Sequence, residues 1–233
     1  MTQLKAILQK DKTLINLLSS LILFAAFACT LVITRMSLTD HITYSFLIWN
    51  LILAWIPLFF SISLLFQSRT NKSSLSITLL LGGMWLLFYP NAPYIITDLV
   101  HVKARTDIPF WFDQILIMSF ILNSLLVGFL SLAINEALIT QRFNKWAGRI
   151  FVLSVSILSG FGIYLGRYER WNSWDIFQDL PNLLSTILTK ILHPTIHPKT
   201  YGVTILFSTF LLIGYLIFKN MTNLQLNLNN NDK

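Results

Sequence analysis

Asp98 and His101 stand three residues apart in the stretch YPNAPYIITDLVH, residues 89 to 101. A carboxylate and an imidazole one helical turn apart can carry out acid–base chemistry near neutral pH, or supply two ligands to a divalent metal. Further on, GRYERWNSWD, residues 166 to 175, gathers Arg167, Arg170, Trp171, Asn172, Trp174 and Asp175. Two guanidiniums beside two indoles can hold a phosphate or carboxylate while stacking on the neutral body attached to it. The plainer reading is an aromatic belt with arginines snorkelling to head groups. A belt alone does not explain so dense a mixture.

The elements that must position these groups follow from the neighbouring residues. Pro90 and Pro93 interrupt an apolar run, and Asn91 is a good N-cap, so a short helix is expected to begin near Pro93. On it, Tyr94, Asp98, His101 and Arg105 fall at i, i+4, i+7 and i+11 and share a face, with Ile95, Leu99 and Val102 on another. The second stretch, read as helix, puts Arg167, Arg170, Trp171 and Trp174 on one face and Asn172 and Asp175 on the next. Asn91, Tyr94 and Arg105 then join the arginines and tryptophans as candidate binding residues, with Asp98 and His101 as candidates for the chemistry. A metal at Asp98, His101 and Asp175, or with His193, is the minority alternative to an ion-pair network with Arg105, Arg167 and Arg170. No cofactor is predicted.

The rest of the chain says what surrounds this site. Of 233 residues, 55% are hydrophobic and 12% charged, with a mean hydropathy of +0.64, outside the range of soluble domains. Apolar runs long enough to cross a bilayer fall near 14–34, 43–66, 75–96, 112–135, 147–166 and 201–218. The expected fold is all-α: one integral membrane bundle of six spans over 1–233, with a frayed tail at 220–233. Leu183, Leu184, Ile187, Leu188, Ile191 and Leu192 recur at helical spacing, predicting an amphipathic interfacial helix over 182–193. The first run is too long for a secretory leader and reads as a retained helix.

Basic residues set the expected orientation. With six spans, both termini and the loops after spans two and four share one side, which carries ten basic and three acidic residues. That side is expected to be cytoplasmic. The opposite side carries seven of each, so the formal charge of +7 reflects membrane topology and anionic lipid contact, not nucleic-acid binding. The lone Cys29 excludes an internal disulfide.

Several local patterns have structural readings. GFGIYLG from Gly160 has the wrong spacing for a dinucleotide loop and suits close helix packing at Gly162 and Gly166, while Gly82 and Gly83 are expected to let helices approach or bend. His193 and His197 are separated by prolines that prevent a shared helical face. Asn50 and Asn123, inside spans, are expected to bond across helices.

PNAPYIITDLVH and GRYERWNSWD, in a six-span chain of this length, resemble the domain of unknown function 1361 family of bacterial membrane proteins. The resemblance implies a bacterial cytoplasmic-membrane protein and supplies no activity. Three functions stay open. The first is an outward-facing interfacial site that binds, and in one version acts on, an anionic lipid or lipid-linked group. The second is a small transporter with a broken third helix. The third is a structural or assembly subunit whose motifs lock loops together.

Overall fold

The computed structural model describes residues 2–39, 42–69, 74–103 and 107–223, and among these there is no strand. Six stretches are long and apolar enough to cross a membrane: Lys12–Thr39, Phe46–Arg69, Leu75–His101, Phe110–Arg142, Lys145–Glu169 and Pro198–Thr222. They lie within or across α1 (Thr2–Thr39), α2 (Phe46–Arg69), α3 (Leu75–Phe88), α4 (Asn91–Tyr94), α5 (Phe110–Arg142), α6 (Lys145–Tyr164) and α9 (Pro198–Asn223). Between α6 and α9 come a four-residue α7 (Asp175–Gln178) and α8 (Leu180–Leu192). All six expected spans are present, most with longer bounds. The helix expected over 182–193 begins two residues earlier, at Leu180, with Pro181 in its first turn. Of the tail expected to fray from 220, residues 220–223 continue α9, and 224–233 lie outside the described residues.

Helix α5 is the axis of the bundle. It packs against α1 and α2 on one side and α6 on the other, while α6 packs along α9 and α3 along α2. In a bilayer, helix association rests on packing and interhelical hydrogen bonds more than on removal of apolar surface from water. Accordingly α5 buries small and polar residues: Ser119, Asn123, Ser124, Gly128, Ser131 and Asn135. Asn123 donates to the Leu21 carbonyl at 2.8 Å and accepts from the Trp55 indole at 3.1 Å. Ser131 accepts from the Trp85 indole at 2.6 Å and pairs with Ser61 at 2.8 Å, and Asn135 donates to Ser61 at 2.5 Å.

Ion pairs close both ends. At one end, Arg35 of α1 is fully buried and forks onto Asp113 of α5, with Nε at 2.8 Å and Nη2 at 3.3 Å. At the other, Glu136 of α5 accepts from Tyr215 at 2.5 Å and from Lys219 at 2.6 and 2.7 Å. Six crossings leave Arg69, Arg142, Lys145 and Lys219 at the Glu136 end and the Asp98 segment at the Arg35 end.

Two expectations about glycine divide. A Cβ at Gly162 would come within 3.0 Å of Pro90, and one at Gly166 within 3.0 Å of the Tyr94 ring, so these glycines do let α6 approach the broken third span. Nothing lies within 4 Å of a Cβ at Gly82 or Gly83. Of the two roles expected for that pair, close helix approach is not the one it fills.

Candidate functional site

The third span does not end at its prolines. Tyr89 and Pro90 keep right-handed helical angles, so the chain bends and continues through α4. From Ile95 to His101 it tightens into a 3-10 helix. The expected short helix is present and begins at Asn91, within a turn of Pro93, so Pro93 is not its first residue. Asn91 is not its cap either: its amide donates to the Phe88 carbonyl at 2.9 Å and to Ser173 at 3.0 Å. Pro90 and Pro93 have no N–H to give, and the Asn91 donors tie the bend together instead.

Tightening changes the face. At three residues per turn, Ile95, Asp98 and His101 stack along one edge. Ile95 is fully buried and Asp98 is 2% exposed, while the His101 ring is 43% exposed. Tyr94, Asp98 and His101 still reach one cavity, as expected. Arg105 lies outside the described residues.

Helix α6 ends in a single π turn, Leu165–Glu169, closed by the Trp171 N–H on the Leu165 carbonyl at 3.1 Å. Arg170 takes left-handed angles, φ 62° and ψ 28°, a position where a side chain costs about 1 kcal/mol or more. The continuous helix expected over 166–175 is thus broken, and its arginines part company. Arg167 turns toward the third span, its Nη1 3.7 Å from Asp98 Oδ1. Arg170 is exposed and lines no part of the cavity. Asp175 is likewise absent from the lining: its Oδ2 accepts from the Asn172 N–H at 2.6 Å and the Asn172 amide at 3.3 Å. It closes a turn that brings Trp171, Asn172 and Trp174 to the cavity. Among the described residues no three of His, Cys, Asp and Glu converge on a metal-sized site. Asp98, His101 and Asp175 in particular do not meet.

These segments enclose a cleft of about 750 Å³, within the usual range for small-molecule sites. Its polar end holds Asn50, Asp98, His101, Arg167 and Asn172. From there to Gly83 the third span provides about 24 Å of helical path, walled by Leu86 and Leu87 on one side and Leu158 and Phe161 of α6 on the other. Leu86 is 39% and Leu158 49% exposed, so the apolar length is open sideways. Leu183, Ile187 and Ile191 of α8 complete it at i, i+4 and i+8.

Within the polar end, Asn50 donates to Asp98 Oδ2 at 2.9 Å, and His101 Nε2 lies 4.0 Å from Oδ1. No hydrogen bond from the Arg167 guanidinium is satisfied among the described residues. Asn50 was legible as an interhelical bonding residue, but not as the partner of Asp98. Sequence reasoning missed Ser173, whose hydroxyl donates to the Leu87 carbonyl at 3.0 Å. It also missed the clasp on α8: Lys190 lies 2.8 Å from Glu169, which accepts from Tyr164 at 2.8 Å. Bonding to Glu169 holds the Lys190 pKa above its ordinary value. His193 and His197, as expected, form no pair on a shared helical face.

Six spanning helices and a side-opening cleft with a charged end define a multi-pass helical membrane protein. Residues 49–213 match the model of a family described as Protein of unknown function (DUF1361), and the chain belongs to that family. The match takes in every cleft-lining segment, leaving out only Phe46 of the lining residues. No curated protein and no solved structure matches the chain.

Proposed function

We propose that the cleft binds an amphiphile, a membrane lipid or lipid-linked compound, whose head carries an anionic group. The observation that carries this reading is the state of Arg167. It presents a five-donor fork with no hydrogen bond made among the described residues, at the charged end of an otherwise apolar, side-opening groove. A partly buried guanidinium so placed is prepared for phosphate or carboxylate oxygens. Trp171 and Trp174 flank the head, and the α3–α6 seam takes the chain. With the Glu136 end cytoplasmic, as its basic residues favour, the head lies at the outer interface of the membrane. His101, at the mouth beside Asp98, is placed for proton exchange with a bound head, which is how the site would act on its ligand.

Lipid retained by detergent-purified protein, read by native mass spectrometry, tests this. Arg167→Ala is expected to lose the bound amphiphile, whereas Arg170→Ala, altered outside the cleft, should keep it. Equal retention by both variants would sink the reading.

A further inference from the structure

The polar end of the cleft holds an open acceptor as well as open donors. Asp98 is 2% exposed, and its Oδ2 is taken by Asn50. Its Oδ1 accepts no hydrogen bond among the described residues: Arg167 stands at 3.7 Å and His101 at 4.0 Å, both beyond bonding range. A carboxylate oxygen open to the cleft, with no hydrogen-bond donor among the described residues, thus sits beside a guanidinium whose donors are unused, and both residues line the same cleft.

The charge balance sharpens this. Asp98 and Arg167 carry opposite charges and are, among the described residues, the only Asp, Glu, Lys or Arg in the lining. A head bearing only negative charge would satisfy Arg167 and set its own charge against Asp98 in a partly dry site, where an unpaired charge is costly. A head with an anionic oxygen and a cationic N–H donor a few atoms apart satisfies both groups and leaves the site neutral. Trp171, Trp174 and the Tyr94 ring, all lining this end, add faces that attract an ammonium.

Resting on the amphiphile reading above, we propose that the preferred head is zwitterionic: a phosphate on Arg167 and a primary ammonium on Asp98, the chemistry of a phosphoethanolamine head group. The ammonium donates to Oδ1, the phosphate takes the guanidinium fork, and no covalent step is involved.

The test compares three lipids with identical acyl chains on wild-type protein in detergent: phosphatidylethanolamine, its N-acetylated derivative and phosphatidylglycerol. Binding is read by native mass spectrometry in competition. One charge-assisted hydrogen bond predicts about a tenfold preference for phosphatidylethanolamine over each of the others. Asp98→Asn is expected to erase that preference. If all three lipids bind alike and still require Arg167, the zwitterion proposal is overturned and the amphiphile reading stands. If none binds, or binding ignores Arg167→Ala, both are overturned. Because the lipid series uses unaltered protein, a misfolded Asp98 variant does not rescue the proposal.

Discussion

Asn50 and Asp98 lie 48 residues apart, on α2 and on the 3-10 end of the third span, and the Asn50 amide donates to Asp98 Oδ2 at 2.9 Å. That bond links two walls of the cleft. Asn50→Leu removes the donor and strands a buried carboxylate oxygen, at a cost of about 1–3 kcal/mol. Unfolding in mixed micelles should show this loss, together with weaker lipid retention. An unchanged unfolding midpoint would mean that the bond does not carry the wall.

Arg35 and Asp113 form the tightest junction at the same end. Arg35→Lys keeps the charge but loses the fork, and with it the bond to Thr39 at 3.2 Å. A loss of about 2–4 kcal/mol is expected from breaking one partner of a buried pair. Replacing both residues by apolar ones of similar volume should recover part of it. Tyr44, stacked 5.2 Å from the Arg35 guanidinium, donates to the His101 carbonyl at 3.1 Å, so Arg35→Lys is also expected to loosen the His101 segment in hydrogen exchange.

Glycine substitutions separate packing from empty space. A Cβ at Gly160 would come 2.5 Å from the Thr204 carbonyl and crowd Ser208, and α9 backbone cannot simply rotate away. Gly160→Ala should therefore cost about 1–3 kcal/mol. Gly82→Ala, inside α3, meets nothing within 4 Å and should be neutral or stabilising by up to about 1 kcal/mol. Similar effects at the two positions would contradict the α6–α9 packing.

At the opposite end, Glu136→Ala leaves Lys219 without its carboxylate and Tyr215 without its acceptor. The expected loss is about 1–3 kcal/mol, chiefly from the buried Tyr215 hydroxyl left without an acceptor. Lys219→Ala, removing a side chain that is 40% exposed, should cost less. The order of the two unfolding midpoints decides it.

The membrane bundle was legible because a span needs only length and apolarity, and both are local properties of a sequence. Tyr94, Asp98, His101, Arg167, Trp171, Asn172 and Trp174 were legible as one neighbourhood because uncommon polar and aromatic types cluster in two stretches. Their exact geometry was not. A 3-10 turn after Pro93 and a π turn before Arg170 change the angle per residue by up to about 20°, and the left-handed Arg170 breaks the helix, so face assignments drawn at α spacing drift within two turns. That drift is why Arg170 and Asp175 were expected in the site and stand outside it. Arg35 with Asp113 and Glu169 with Lys190 were hidden for a different reason: each pair joins residues far apart in the chain, and single charges give no sign of their partners.

The pairing of these charges has an electrical consequence. Arg167 with Asp98, Lys190 with Glu169 and Lys219 with Glu136 each sum to zero within a few ångströms, while Arg35 stands between two carboxylates, Asp113 at 2.8 Å and Asp107 at 3.9 Å. A lone charge carried across a membrane holding 100 mV exchanges about 2.3 kcal/mol with the field. A neutral pair moving as a unit exchanges almost none. Shifts of these helices that keep their pairs intact therefore proceed at nearly the same free energy whether the membrane is energised or not.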